Sequence, residues 1–213
     1  MLCSGRPPRA GSLHIHGGGE VEKEEILDIL LSVLILAFIF SYSGPSNIKA
    51  LVSTIPYSLA SVSVAFVFHE LAHRQVARKL GFFARYEMWP IGALLSFLAS
   101  VASNGAIGFA ALGAVMIYPK IDLWGRFRRI TPKENMLISI AGPAANVAVA
   151  GVSLLAFHFS GFFLFRQIYS INVWLAFFNM LPVPPLDGSK VFSYSWKLWL
   201  AVFIPLFGLT LFL

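Results

Sequence analysis

The sequence predicts an all-α polytopic membrane protein with about five to six transmembrane helices and one re-entrant or partly extended hairpin segment. Composition is the first reason. Of 213 residues, 57% are hydrophobic and 12% charged, about half the charged share of a soluble domain; the mean hydropathy is +0.75. The second reason is that charges are missing in blocks. Residues 29–48, 50–68, 88–119, 135–165, 167–186 and 198–213 carry none, and several of these runs approach or exceed the ~20 residues a helix needs to cross a bilayer. The runs are too long for barrel strands and lack period-two alternation, which leaves helices.

The cations supply a third observation. Let each long run cross once and let 88–119 enter and return. Of the 16 Lys and Arg, all but Lys49 and Arg166 then face one side. A single crossing by 88–119 would divide them evenly. Short loops rich in Lys and Arg stay cytoplasmic, so the hairpin arrangement is preferred. The net charge of +6 then reads as orientation in a lipid bilayer, and no nucleic-acid partner is expected. The protein is expected to be multi-pass, in the cell membrane. Cys3 is the only cysteine, which rules out an intramolecular disulfide.

Along the chain, residues 1–25 are polar and Gly/Pro-rich and predict a disordered tail; 26–213 form the membrane core. The first span covers about 26–43 and ends at "SGPS". The second is expected to start near Pro56, a residue suited to the first turn, and to reach Leu80 with Gly81 as C-cap. The segment 88–119 is too long for one span and short for two. Pro90, Gly92 and "SNG" at 103–105 punctuate it, so short re-entrant arms are expected, tolerated at membrane depth only when buried or lining a wet cavity. Spans follow at 135–158, rich in small residues that let helices approach closely, at 168–181, stopped by "PVPPLDG", and at 197–213.

The chemistry gathers at "HELAH", residues 69–73. On a helix, His69 and His73 share a face and can bind one ion, with Glu70 beside them to take a proton from water. Ionisable groups at the end of an apolar span are costly and usually functional. A catalytic zinc site takes three protein ligands. The third is not the local histidine of a metzincin, because Val76 and Lys79 stand where Gly and His are wanted. Of the remaining candidates, Asp122 and Glu134 flank the basic cluster 126–133, Glu87 follows the helix closely, and His158 belongs near the outer end of its span. Asp187 stands out. It is 21 residues beyond Arg166, as His69 is 20 beyond Lys49, so the two share a depth near the cytoplasmic face in the hairpin topology. Pro182, Pro184 and Pro185 break the helix before it, and Gly188 permits a sharp turn after it.

Together, "HELAH" at 69–73, "AGPAAN" at 141–146 and "NMLPVPPLDG" at 179–188 resemble the site-2 protease family of intramembrane zinc metalloproteases, over roughly residues 55–190. The resemblance implies one Zn2+ per chain on His69, His73 and Asp187, with Glu70 as general base and Asn179 beside the metal, contacting substrate or the developing oxyanion. It implies hydrolysis of peptide bonds in or near transmembrane segments of membrane-protein substrates, in a compact form with no PDZ or CBS domain. The segment 88–119 is longer than the compact hairpin of the family; it offers either an edge for an unwound substrate or an extra packing hairpin. The alternative reading is a metal-binding membrane protein that is catalytically inactive or serves transport. Pro143 and Asn146 read as packing and interhelical polar contacts.

Overall fold

The computed structural model describes residues 23–106, 112–118 and 128–213. The described residues are mostly helical with one small sheet: α1 (Lys23–Ser41), α2 (Ile48–Lys79), β1 (Phe83–Met88), α3 (Pro90–Ala102), β2 (Gly113–Tyr118), α4 (Pro132–Ser160), α5 (Phe163–Asn179), α6 (Asp187–Tyr194) and α7 (Trp196–Thr210). Of the N-terminal tail, residues 1–22 lie outside the described residues, and Lys23–Glu25, assigned to it from sequence, form the first turn of α1.

Among the described residues two helices, α4 and α2 with the turn before it, are long and apolar enough to cross a membrane. Both bury polar side chains among apolar ones and expose large apolar side chains. Helix α2 buries Ser58, Ser61, His69, Glu70 and His73 and exposes Val52, Phe68 and Leu71. Helix α4 buries Ser139, Asn146 and Ser153 and exposes Val147, Val152, Leu155 and Phe159. Apolar faces this large, turned outward, suit an apolar solvent. The molecule is membrane-associated.

Helix α2 starts eight residues before the expected Pro56, which lies inside it. Pro56 cannot donate to the Val52 carbonyl one turn back. The helix absorbs this near its N-terminal end, where Val52 is exposed. Ser53 and Thr54 fold their hydroxyls back onto the Ala50 carbonyl at 2.9 and 2.8 Å. At the other end Gly81 takes a left-handed φ of 84°, as its C-cap role requires. A capping box on Thr131 and Glu134, with Pro132 in the first turn, starts α4; Gly161 at φ 66° ends it.

The described part of segment 88–119 is partly extended, as expected, and partly helical. Its helical part is α3, closed by a turn in which Asn104 and Gly105 have φ of 54° and 84°. Its extended part is β2, which pairs antiparallel with β1, from Phe83 opposite Tyr118 to Met88 opposite Gly113. The strand pair therefore begins five residues earlier than the uncharged run, and the chain returns beside the point where it left α2.

The ladder has one closed edge. Tyr86 N–H donates to Glu25 Oε1 at 3.1 Å and Met88 N–H to Asp28 Oδ2 at 3.0 Å, so α1 covers the outer side of β1. Antiparallel pairs alternate. With Tyr86 and Met88 facing outward, their partners Val115 and Gly113, and Ile117 by the same alternation, turn their backbone groups away from β1. Among the described residues no further strand pairs with that second edge. Tyr86 also locks the sheet inward: its ring stands edge-on to Phe66 and its hydroxyl lies 2.8 Å from Ser32 Oγ. Burial pushes the Tyr86 phenol up, so that contact is one between neutral hydroxyls.

Beneath the sheet, Leu36, Val62, Phe66, Tyr86 and Leu175 form one apolar core joining α1, α2, β1 and α5. A second, with Met136, Ala176, Met180, Val191 and Leu206, joins α4 to the last three helices. Helix α4 packs on both α5 and α2. That three-helix contact positions the site.

Candidate metal centre

Near the C-terminal end of α2, the 3.6-residue period brings His69 and His73 to one face, where both are buried. Their Nε2 atoms are 3.0 Å apart. Asp187 enters from the start of α6, with Oδ2 at 3.4 Å from His69 Nε2 and 3.0 Å from His73 Nε2. Each of the three offers one ligand atom to a common point. Ligands 2.0–2.1 Å from a tetrahedral zinc ion stand roughly 3.3 Å apart, so this spacing and this two-nitrogen, one-oxygen donor set fit zinc.

The surroundings hold the donors. His73 Nδ1 donates to the Ile138 carbonyl at 2.6 Å, which fixes the tautomer that turns the Nε2 lone pair toward the ion. Gly142 of α4 faces the same point: a β-carbon there would sit 2.6 Å from His69 Nε2 and closer still to His73 Nε2. Only glycine lets α4 approach the imidazoles this closely. Asp187 is delivered by the loop after α5, in which Trp199 Nε1 donates to the Met180 carbonyl at 2.8 Å. Gly188 allows the loop to fold onto α6, since a β-carbon there would fall 2.6 Å from the Leu181 carbonyl oxygen and closer to that of Met180. The second carboxylate oxygen of Asp187 meets Lys190 Nζ at 3.3 Å.

Glu70 is buried beside the histidines, and its Oε2 has no hydrogen-bond partner among the described residues. It lines a small cleft of about 40 Å3 together with His69, His73, Asn179 and Asp187. Strand β2 forms one wall through Gly113–Ile117. Asn179 reaches the cleft but its amide Nδ2 donates to the Leu175 carbonyl at 3.0 Å, within its own helix.

The other acids and the last histidine stay apart from this cluster. Glu87 accepts from the Tyr118 hydroxyl. Glu134 caps α4 and pairs with Arg128. His158 is in the last turn of α4. Asp122 lies outside the described residues. Asn146 is fully buried, and neither amide atom has a partner among the described residues, so the polar contact expected of it is not made there. Sequence reasoning missed Lys190, Gly142 as a packing contact on the imidazoles, and the two α1 carboxylates. Only Gly142 left a signal, the small-residue run around it.

A helix bearing His-Glu-x-x-His, completed by one carboxylate from far along the chain, defines the zinc metalloprotease class. The profile of peptidase family M50 matches residues 57–165. A candidate zinc metalloprotease of Methanocaldococcus jannaschii is 40% identical over 196 residues, covering 90% of this chain and 95% of that protein. YwhC of Bacillus subtilis, also named as a candidate zinc metalloprotease, is 31% identical over 65% of this chain and 68% of its own length. Rip3 of Mycobacterium tuberculosis is 27% identical over 81% of this chain and 42% of its own. No solved structure matches. The chain belongs to peptidase family M50, zinc metalloproteases of the site-2 protease type.

Proposed function

We propose that this protein is an intramembrane protease that hydrolyses peptide bonds in or near the transmembrane segments of other membrane proteins. One observation carries the reading: a zinc-sized His-His-Asp cluster with a buried glutamate beside it, the histidines and glutamate lying on a helix long and apolar enough to cross a bilayer. The antiparallel pairing of Phe83 with Tyr118 supports the topology in which 88–119 enters and returns. About five to six spans then leave the cleft nearer the cytoplasmic side, with Lys49 and Arg166 outside.

His69, His73 and Asp187 would hold one zinc ion. When bound, zinc supplies a Lewis acid that acidifies water and polarises a carbonyl. Glu70, through its free Oε2, takes the proton as the water oxygen bonds to the carbonyl carbon, and returns it to the departing nitrogen as the C–N bond breaks. The products are a carboxylate and an amine. A helical substrate hides its carbonyls in its own hydrogen bonds, so it must unwind, and residues such as Gly, Pro or Asn make that easier. The outward backbone groups of Gly113, Val115 and Ile117 give the unwound segment an edge to pair with, along the wall of the cleft. Asn179 lines the same cleft, with its second amide N–H available for substrate contact.

An inactive or transport-type metal protein has no need of a buried carboxylate with a free oxygen beside the ligands, which Glu70 provides. The test is a purified preparation in liposomes with a single-span reporter. Wild type is expected to cut it and to bind one zinc per chain. Glu70→Gln should keep the zinc and lose cleavage, and Asp187→Ala should lose both. Cleavage that survives in Glu70→Gln overturns the proposal.

A further inference from the structure

We infer that Lys190 is a catalytic residue, the electrophile that stabilises negative charge on the scissile carbonyl oxygen. The inference rests on the proposed proteolytic reading of the site. Among the described residues, Lys190 is the only Lys or Arg lining the cleft. The other cation close in sequence to the histidines, Arg74, is buried and paired with Glu25 at 3.2 Å, and it does not line the cleft. Lys190 is placed by the first turn of α6: three residues after Asp187, its Nζ reaches Asp187 Oδ1 at 3.3 Å, while Oδ2 faces the imidazoles. The ammonium therefore stands one carboxylate away from the point where the three ligand atoms converge. Its side chain is 33% exposed, open toward the cleft.

An ammonium has three N–H donors, and the contact to Asp187 uses one. The alternative donor, Asn179, spends one of its two amide N–H groups on Leu175 and carries no charge. During hydrolysis the π pair of the carbonyl moves onto its oxygen as the water oxygen bonds to carbon. Lys190 donates a hydrogen bond to that oxygen and keeps its protons. The pair returns to re-form the C=O bond when the C–N bond breaks, with the nitrogen taking the proton Glu70 holds. A fixed cation at the position where charge develops stabilises the transition state more than the ground state, so its removal should act on kcat.

The test compares wild type, Lys190→Met, Lys190→Arg and Glu70→Gln on one transmembrane reporter peptide in detergent. Zinc stoichiometry and chelator-competition affinity are read on each, together with the affinity of a zinc-loaded chain for a phosphinic peptide that mimics the tetrahedral transition state. Lys190→Met is expected to keep one zinc with affinity within a few-fold of wild type, to keep KM within about threefold, and to lose roughly 100- to 1,000-fold in kcat. Phosphinate affinity should fall alongside, and Lys190→Arg should recover at least about tenfold of the kcat loss. An unchanged kcat overturns the inference. So does a kcat loss that tracks zinc loss, because Lys190 would then only orient Asp187. If Lys190→Met does not fold, Lys190→Gln is read by the same two criteria. A zinc-loaded wild type that leaves the reporter intact removes the proteolytic reading itself, before any variant is compared.

Discussion

Gly142 lies against the His73 imidazole so closely that a single added carbon would overlap its Nε2. The contact joins α4 to the metal-facing side of α2 with no side chain between them. Gly142→Ala should therefore displace the imidazoles rather than merely crowd a helix interface. Zinc affinity is expected to drop at least about tenfold, in the range seen when groups supporting metal ligands are lost. Chelator competition measures it. Gly151, on the same helix with nothing near its would-be β-carbon, is the control, and Gly151→Ala should leave zinc binding unchanged.

Zinc that binds only the folded chain adds to its stability by mass action, about 4 kcal/mol at a thousandfold excess over Kd. Dialysis against a chelator should lower the melting temperature, and added zinc should restore it. In Asp187→Ala the shift should shrink or vanish. A wild-type melting temperature indifferent to chelator would contradict the metal site.

Arg74 and Glu25 form a buried pair between α2 and α1, and the same Glu25 oxygen accepts from Tyr86 N–H. Removing one member of such a pair strands the other charge, at a cost of about 3–5 kcal/mol. Arg74→Met should show this in denaturant unfolding in detergent. The double variant Arg74→Met with Glu25→Leu should recover part of the loss.

Strand β2 gives a prediction that separates substrate pairing from folding. Val115 turns its N–H away from β1, whereas Met116 is bonded into the ladder opposite Arg85. Proline removes the N–H and is tolerated at free edges. Val115→Pro should leave the melting temperature close to wild type and raise KM for a transmembrane reporter several-fold or more. Met116→Pro should lower the melting temperature as well. Equal effects from the two would argue against strand addition.

Local rules made parts of this architecture legible in advance. The i, i+4 spacing put His69 and His73 on one face, the prolines before Asp187 announced a broken helix, and Gly81 and "SNG" marked real turns. The start of α2 misled because Pro56 suits a first turn, yet an exposed N-terminal helix end tolerates it. The α1 carboxylates left no local trace. Glu25 and Asp28 read as the polar margin of a tail, and their partners Tyr86 and Met88 lie some sixty residues away. The pairing of β1 was hidden for a related reason: "FARYEM" carries charges and lies outside the uncharged run, so block counting began the hairpin five residues late. Lys190 was passed over because its setting depends on where Asp187 points.

The carboxylates of Glu25 and Asp28 also bear on crowding in the bilayer. A ribbon with both margins bare can be extended indefinitely by like copies, the seed of a fibre. Here one margin is sealed from within, so stacking through the sheet halts at a facing couple. If unwound substrates add to that margin as proposed above, such a couple would fill the place of substrate in both copies and be self-limiting.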